Sequence, residues 1–151
     1  MNVGKICQCR PVTVRAQDPL TTVARLMREE HVGYLVVVAP EPAGELLRPI
    51  GVLTDRDIVV TVVAKETDPR ALTAGDIMNT QPVTIGESDS IGNALQLMRR
   101  MGIRRLPVVG RTGALVGVLS LDDVIDALAG EIASVAGAIR NERNIEGVLR
   151  A

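Results

Sequence analysis

Two short stretches of the chain pair a hydroxyl side chain with an aspartate three residues later. Thr54 precedes Asp57 in the stretch GVLTDRDI, and Ser120 precedes Asp123 in the stretch GVLSLDDV. At the start of a helix, such a pair lies beside backbone amides that attract anions. An aspartate there can accept hydrogen bonds from two hydroxyls of a ribose. The doubled pattern therefore indicates chemistry suited to a sugar diol and an adjoining phosphate.

The same pattern also has a purely structural interpretation. A Thr or Ser at the N-cap with an acid three residues later forms a capping box, which satisfies backbone donors and needs no ligand. Gly51 and Gly117 begin the two stretches, and we expect them to let another backbone segment approach closely. The sequence alone leaves the structural and the ligand-binding interpretations open.

Positive charge is concentrated in one part of the chain. The stretch Ile91–Leu121 has no acidic residue and contains five arginines: Arg99, Arg100, Arg104, Arg105 and Arg111. We assign Arg99 and Arg100 to a solvated helix face. Arg104 and Arg105 lead directly into an apolar run, where a guanidinium group could reach a phosphate. A solvated role for this second pair stays open.

No metal or catalytic site is predicted from the remaining polar residues. Cys7 and Cys9 lack the further ligands of a zinc site, and they are expected to be reduced thiols. Two pairs of acids, Asp55 with Asp57 and Asp122 with Asp123, could suggest a magnesium site. Acids at the start of a helix are more often partners of the helix dipole, so the magnesium site is the weaker interpretation. His31 is the single histidine, and no nucleophile and base can be assembled around it.

An internal repeat explains why the hydroxyl–aspartate pattern occurs twice. Residues 4–38 align without a gap with residues 75–109, and residues 51–59 align with residues 117–125. Between these blocks the first copy has a longer loop, with Pro40, Pro42 and Gly44, where insertions cost little. A unit this short buries too little apolar surface to be stable alone, so we expect the two copies to share a core.

Each copy predicts the same order of elements, β-α-β-β-α, and hence an α+β fold. In the first copy we expect strands at 12–15, 34–39 and 49–53, a helix capped by Asp18 with Pro19 at its first position, and a helix from Thr54. In the second copy we expect strands at 82–85, 105–110 and 114–119, and helices at 89–102 and from Ser120.

The repeat also predicts the division of the chain. We expect a first unit at 4–65, a linker at 66–74, a second unit at 75–129 and a C-terminal helix at 130–151. Ile132, Val135, Ala136 and Ile139 recur at helical spacing, so this last helix is expected to be amphipathic and to need a surface to lie on.

The composition argues against several classes of partner. The 151 residues include one Tyr and neither Phe nor Trp, which disfavours the aromatic platforms used to bind single-stranded nucleic acid. A net charge of −1 gives no general attraction to nucleic acid or to a membrane. No apolar run approaches the roughly 20 residues that span a bilayer, and the N-terminus has no secretory signal pattern. We therefore expect a cytoplasmic location.

Residues 4–129 resemble a tandem pair of cystathionine-β-synthase (CBS) domains, a regulatory module that binds adenosine derivatives. The resemblance rests on the doubled element order and on the stretches DIMNTQPVTI, GIRRLPVV, GVLTDRDI and GVLSLDDV. It implies two CBS units packed as a pseudo-twofold pair, usually within a homodimer that forms a flat disc. The C-terminal helix lies outside the matched region.

The resemblance also implies roles for individual residues. The hydroxyl residues and aspartates, Thr54 and Asp57 with Ser120 and Asp123, would hold ribose and phosphate. The adenine would lie near the first strand of each unit, at Val12 and Thr13 or at Val83 and Thr84. Phosphate contacts are expected from Arg56 and from Arg104 and Arg105 at the start of the middle strand, and Pro107 in that strand is a further expected ligand contact. The first unit departs from the pattern because Gly33 and Tyr34 replace the two arginines, with Tyr34 kept as a ligand contact, so we expect two unequal clefts.

Two functional hypotheses follow. The first is a non-enzymatic sensor that needs no cofactor and binds an adenine nucleotide as a regulatory ligand. Binding would change the packing of its homodimer or its interaction with an unidentified regulated protein. The second is a structural adaptor of the same fold, with vestigial clefts, that serves only for dimerisation or docking. The sequence does not distinguish AMP, ADP, ATP, S-adenosylmethionine or an NAD-type ligand.

Overall fold

The computed structural model describes residues 1–40 and 46–149. It contains two β-sheets, each flanked by helices, and one apolar core against each sheet. The predicted α+β architecture is confirmed. The inserted loop predicted around Pro42 and Gly44 lies outside the described residues.

The elements follow the predicted order in both units. The first unit consists of β1 (Thr13–Val14), α1 (Leu20–Glu29), β2 (Tyr34–Pro40), β3 (Leu47–Thr54) and α2 (Asp55–Ile58), which continues as a π-helix over Val59–Val63. A short helix α3 (Ala74–Ile77) and strand β4 (Asn79–Thr80) follow. The second unit consists of β5 (Ile85–Gly86), α4 (Ile91–Met101), β6 (Arg105–Val109), β7 (Leu115–Ser120) and α5 (Leu121–Leu149).

The two sheets repeat one pairing scheme. In each, a short first strand runs parallel to the middle strand, which pairs antiparallel with the third: β1–β2–β3 and β5–β6–β7. Both middle strands are mostly apolar, and both slip register by a bulge at the equivalent position, between Val37 and Val38 and between Val108 and Val109. Duplicated sequence therefore gives duplicated structure down to a backbone irregularity.

Each unit borrows a backbone segment from the other half of the chain. Strand β4, near the start of the second half of the chain, pairs with β3 of the first unit. Reciprocally, Gln8 near the N-terminus bridges to Val118 of β7. Val3 is fully buried in the second core, and Ala74 is fully buried in the first. This exchange is the reciprocity expected of a pseudo-twofold pair, and it ties both cores into one folded body.

Two glycines make the exchange possible. A Cβ on Gly51 would lie 2.6 Å from Met78 Sδ and 3.1 Å from the Asn79 carbonyl oxygen. A Cβ on Gly117 would lie 2.6 Å from the Gln8 carbonyl oxygen. The close approach predicted at both glycines is confirmed, because each one faces the segment that crosses from the other half.

The start of α1 differs from the prediction. Pro19, and not Asp18, holds the N-cap position of α1, and it provides no side-chain cap. Asp18 Oδ2 instead accepts a hydrogen bond from the Arg15 amide at 2.8 Å. Asp89 likewise accepts from the Gly86 amide at 2.9 Å ahead of α4. Both carboxylates therefore hold the turn that precedes the helix, and each lies two residues before the first helical residue.

The C-terminal helix is also not a separate element. Helix α5 begins directly after Ser120 and runs without a break through Gly130 to Leu149. The helix predicted from Ser120 and the amphipathic helix predicted after Gly130 are one element. Glycine lowers helix propensity but does not end a helix without a change in backbone direction. Ile132 and Val135 are 70% and 62% exposed, so the described chain supplies no surface that covers them.

We expect Gly117→Ala to lower the free energy of unfolding by about 1–3 kcal/mol, because the added methyl group meets the Gln8 backbone and overpacks the crossing. Urea denaturation measures this change. Gly92→Ala is the matched control, since its Cβ would find its nearest neighbour at 3.7 Å on an exposed part of α4. An equal loss of stability in both variants would contradict the role of the crossing.

Candidate functional site

Both hydroxyl–aspartate pairs form complete capping boxes. Thr54 Oγ1 accepts from the Asp57 amide at 3.1 Å, and Asp57 Oδ2 accepts from the Thr54 amide at 2.8 Å. Ser120 and Asp123 repeat the arrangement at 3.1 Å and 2.8 Å. Each hydroxyl also donates to the same carboxylate oxygen, at 2.8 Å in the first pair and 2.6 Å in the second. The structural interpretation of the motif is thus confirmed.

The first-turn amides are less available to an anion than the sequence suggested. The Asp55 amide donates to the Gly33 carbonyl at 3.1 Å, and the Arg56 amide donates to Asp55 Oδ1 at 2.8 Å. With Asp57 bonded to Thr54, each of these three amides already has a partner. A phosphate near α2 therefore depends on side-chain donors more than on the helix terminus.

One oxygen of each capping aspartate is left over. Oδ2 of Asp57 accepts two hydrogen bonds within its capping box, from the Thr54 amide and the Thr54 hydroxyl, and Oδ1 makes no hydrogen bond with a described residue. The same division holds for Asp123. Both residues line clefts between the units, so each presents an oxygen that can only accept hydrogen bonds.

Two clefts lie between the units, and we name each after its hydroxyl residue. The Ser120 cleft has a volume of about 290 Å³ and is lined from the first half of the chain by Arg10, Val12, His31, Gly33 and Tyr34, and from the second half by Arg105, Val118, Ser120, Asp122 and Asp123. Gln8, Pro11 and Val32 complete its lining.

The Thr54 cleft is larger, at about 440 Å³. Its walls come from the first unit at Gly33, Tyr34, Val52, Thr54, Asp55, Arg56 and Asp57, and from the second half of the chain at Asn79, Gln81, Pro82, Val83, Gly102, Ile103, Arg104 and Arg105. Most of these residues are the repeat equivalents of residues in the Ser120 cleft.

Each cleft joins the first strand region of one unit to the capping box of the other. Val12 lies with Ser120 and Asp123, whereas Val83 lies with Thr54 and Asp57. The sequence assigned these residues to repeats but not to a common cavity. Of the thirteen predicted contacts, the structure places eight in one cleft only and two, Tyr34 and Arg105, in both.

Arginine is concentrated at the Thr54 cleft. Arg56, Arg104 and Arg105 line it, and all three are exposed. Arg105 also lines the Ser120 cleft, so its charge is shared and the asymmetry is smaller than predicted. In the Ser120 cleft, Asp122 stands where the Thr54 cleft has Arg56. Asp122 lies 3.9 Å from Arg104 in an exposed ion pair, which contributes little to stability.

Tyr34 marks the boundary between the clefts. The Arg105 guanidinium lies over its ring, 5.9 Å from the centroid, a cation–π arrangement. Burial raises the pKa of the Tyr34 phenol well above its usual value, and the positive charge of Arg105 opposes part of that rise. Tyr34 is therefore a neutral hydrogen-bonding group at physiological pH.

Three of the predicted contacts lie away from the clefts. Thr84 lines a separate depression of about 370 Å³ with Asp89 and Arg100. Thr13 and the buried Pro107 belong to strands and are not among the lining residues of either cleft. Thr13 is paired with Val36 in the first sheet, and Pro107 is buried within β6, so neither side chain reaches the surface of a cleft.

Sequence reasoning missed Arg10 and His31, which both line the Ser120 cleft. His31 was set aside as an isolated histidine, yet its φ of 54° matches the φ of 65° at Gly102, its repeat equivalent in the Thr54 cleft. The alignment of the repeats carried this signal, since it pairs the histidine with a glycine. Within the described residues no group of three His, Cys, Asp or Glu side chains is arranged to hold a metal ion.

A family model described as CBS domain matches residues 3–64 and 74–130. The chain belongs to the CBS domain family. Its two tandem CBS units account for the repeat, and the second match ends near the middle of α5, so the rest of this helix lies outside both matches.

Several curated proteins are similar along most of this chain. Hypoxic response protein 1 of Mycobacterium tuberculosis is 33% identical over 124 residues, which cover 82% of this chain and 78% of that protein. CBS domain-containing protein YhcV of Bacillus subtilis is 33% identical over 134 residues, with 88% and 90% covered. An uncharacterized protein of Methanopyrus kandleri is 33% identical over 125 residues, but this chain spans only 61% of its length.

Solved structures repeat the fold. A CBS domain protein of Pyrobaculum aerophilum, complexed with AMP, superposes with a TM-score of 0.74 at 30% identity and covers 89% of this chain and 99% of its own. Hypoxic Response Protein I with two coordinated zinc ions gives a TM-score of 0.72 at 29% identity, covering 83% and 98%. Among the described residues of the present chain, no helix is both long and apolar enough to cross a membrane.

We expect Thr54→Ala and Ser120→Ala each to lower the free energy of unfolding without ligand by about 0.5–2 kcal/mol, because each removes an N-cap. Thermal or urea denaturation measures the loss. Ser134→Ala is the control, because its hydroxyl donates to the Gly130 carbonyl inside α5 and caps nothing. If both cap variants were as stable as the control, the capping boxes would contribute no stability.

Proposed function

We propose that this protein is a non-enzymatic regulatory module that binds an adenosine derivative in the clefts between its CBS units. The observation that carries the proposal is the cross-unit construction of the clefts, in which Asp57 or Asp123 of one unit faces the first-strand region of the other. The AMP complex of the similar Pyrobaculum aerophilum protein supports it. No cofactor is required, and nucleic acid and membranes are not proposed as partners.

The capping aspartates suit the ribose. Oδ1 of Asp57 or Asp123 accepts hydrogen bonds and donates none, and the two ribose hydroxyls are the donors that such an oxygen needs. Leaving a ribose hydroxyl unpaired in a closed cleft costs about 1–3 kcal/mol, so each aspartate discriminates ribose from a sugar without the diol.

The adenine suits the first-strand side of each cleft. Val12 and Val32 in one cleft, and Val83 and Ile103 in the other, are partly buried aliphatic residues. Aliphatic walls hold a planar base by dispersion and by its removal from water. The backbone groups of the same segments provide the polar recognition of its edge.

The phosphate suits the Thr54 cleft. Three arginines line it, Arg56, Arg104 and Arg105, beside two aspartates. The Ser120 cleft also has two aspartates but only two arginines, Arg10 and Arg105, so the Thr54 cleft has the greater positive charge. A guanidinium–phosphate bond is charge-assisted and stronger than a bond between neutral groups. We therefore assign a phosphorylated ligand to the Thr54 cleft and a less anionic adenosine derivative to the Ser120 cleft.

Binding regulates by holding the two units together in one arrangement. A ligand that contacts both units shifts their relative packing only by the difference in its affinity for the two arrangements. We propose that this shift is transmitted within a homodimer and from it to a separate regulated protein. The alternative is a structural adaptor with vestigial clefts. The observation that favours it is the exposed apolar surface of α5, which could bind another protein without any ligand in the clefts.

Calorimetric titration of the nucleotide-stripped protein with AMP, ADP, ATP and adenosine tests the function. We expect at least one of them to bind with an affinity better than millimolar. Asp57→Asn should cost about 1–3 kcal/mol of binding free energy at the Thr54 cleft. Asp76→Asn is a matched control, because Thr73 and Asp76 form the same capping box outside both clefts. Folded protein that binds none of the four ligands would favour the adaptor.

We expect Arg104→Ala/Arg105→Ala to reduce AMP affinity far more than adenosine affinity, because each charge-assisted phosphate contact contributes about 1.5–3 kcal/mol. Calorimetry at two salt concentrations measures both ligands, and the variant should show a weaker salt dependence. Arg99→Ala/Arg100→Ala removes the same charge from α4 and serves as the control. Equal losses for AMP and adenosine would show that the arginines shape the cleft without contacting phosphate.

A further inference from the structure

Helix α5 carries a row of exposed apolar side chains, which we call the α5 seam: Ile125, Leu128, Ile132, Val135 and Ile139. Their exposed fractions range from 40% at Leu128 to 70% at Ile132. The residues are spaced alternately by three and four positions, so they form one stripe along the helix. The seam begins inside the second CBS unit and continues past residue 130, where the family match ends.

The part of α5 from Gly130 onward is not stabilised as a helix by its own sequence alone. Gly130 and Gly137 lower helix propensity, and a Cβ at either position would meet no atom within 4 Å, so packing in the described chain does not select glycine there. Most helical stability in proteins comes from burying an apolar face. The helix therefore needs a surface to cover the seam.

The spacing identifies the kind of surface. A repeat of 3.5 residues keeps a stripe facing a second helix along its whole length, which is the pattern of a coiled coil. Residues beside the seam are small, at Ala129, Ala136 and Ala138, so a second helix can approach closely. We propose that the α5 seam binds the α5 seam of a second copy of this chain, as a two-helix coiled coil.

Charge favours an antiparallel pair. The first part of α5 carries four acidic residues and no basic one: Asp122, Asp123, Asp126 and Glu131. In the second half of the helix, the described Arg140 and Arg143 stand with Glu142 and Glu146, so this half is close to neutral. A parallel pair would place the two acidic parts together, whereas an antiparallel pair places each acidic part beside the near-neutral half that holds both arginines. Setting Leu128 opposite Ile139 and Ile132 opposite Val135 matches four apolar layers.

This inference deepens the homodimer of the proposed function by naming its contact surface, and it does not depend on the ligand. Sedimentation equilibrium of the full chain tests it, over a dilution series without nucleotide. We expect a dimer for the natural chain. Ile132→Lys/Val135→Lys should raise the dimer dissociation constant at least about tenfold, because two lysines would be buried in the seam. Ser134→Lys/Asn141→Lys adds the same charge outside the seam and should leave that constant unchanged.

Three results would overturn the proposal: a monomeric natural chain, an unchanged dissociation constant in the seam variant, or an equal change in the control. Far-UV circular dichroism of the dissociated seam variant should show a loss confined to the helical signal of the extension, while cooperative unfolding of the CBS units persists. AMP binding is measured on the same samples as an independent test of the proposed ligand. Failure to bind AMP in a natural chain that still dimerises through the seam would reject the ligand proposal alone.

Cysteine cross-linking tests the orientation, in a chain whose own thiols are removed by Cys7→Ser/Cys9→Ser. We expect Leu128→Cys and Ile139→Cys chains, each alone, to form no disulfide-linked dimer. A mixture of the two should form one under mild oxidation by oxidised glutathione. Efficient linkage of either single variant to itself would overturn the antiparallel arrangement and indicate a parallel one.

Discussion

The crossing of backbone segments between the two halves of the chain is the constraint on which the rest of the structure depends. The segment at Gln8 pairs with β7, and the segment at Asn79 pairs with β3. At the point where each crossing segment meets a strand there is no room for a Cβ atom, and glycine occupies that position, at Gly51 in β3 and at Gly117 in β7. Because each core contains an apolar residue carried in by the other half, neither unit can complete its core alone. Two short repeats thereby become one domain of sufficient size.

The same crossing determines where a ligand can bind. It sets the two units in a reciprocal arrangement, so that the first-strand region of each faces the first turn after the last strand of the other. The clefts are therefore interfaces within one chain, and any molecule in them contacts both units. Tyr34 and Arg105, which are repeat equivalents, meet where the two clefts adjoin. The two clefts therefore share this one cation–π contact as part of their walls.

Much of the fold could be predicted from the sequence, because the repeat and the residues that begin and end its helices and strands are local signals. The element order, the capping boxes and the glycine approaches all follow from residue type and spacing. The pairing of Val12 with Ser120, and of Val83 with Thr54, did not follow, since it depends on which segment crosses to which sheet. The start of α1 was misplaced because an aspartate can serve a turn as well as a cap, and the choice depends on neighbouring backbone amides. The continuity of α5 through Gly130 was missed because a glycine there has no conformational consequence.

The capping boxes also divide the ligand chemistry between side chains. In each box the hydroxyl proton goes to the aspartate, and the hydroxyl oxygen accepts the amide of the first turn. What a box presents to a cleft is thus a set of acceptors, which attracts the hydroxyls of a ribose and repels the oxygens of a phosphate. A phosphate must be held by donors from elsewhere, and the arginines provide them in unequal number to the two clefts. Under the proposed function, the capping motif would favour a nucleoside in both clefts, while the charged residues around it, Arg56 and Arg104 in one cleft and Arg10 and Asp122 in the other, would set how much negative charge each nucleoside can carry.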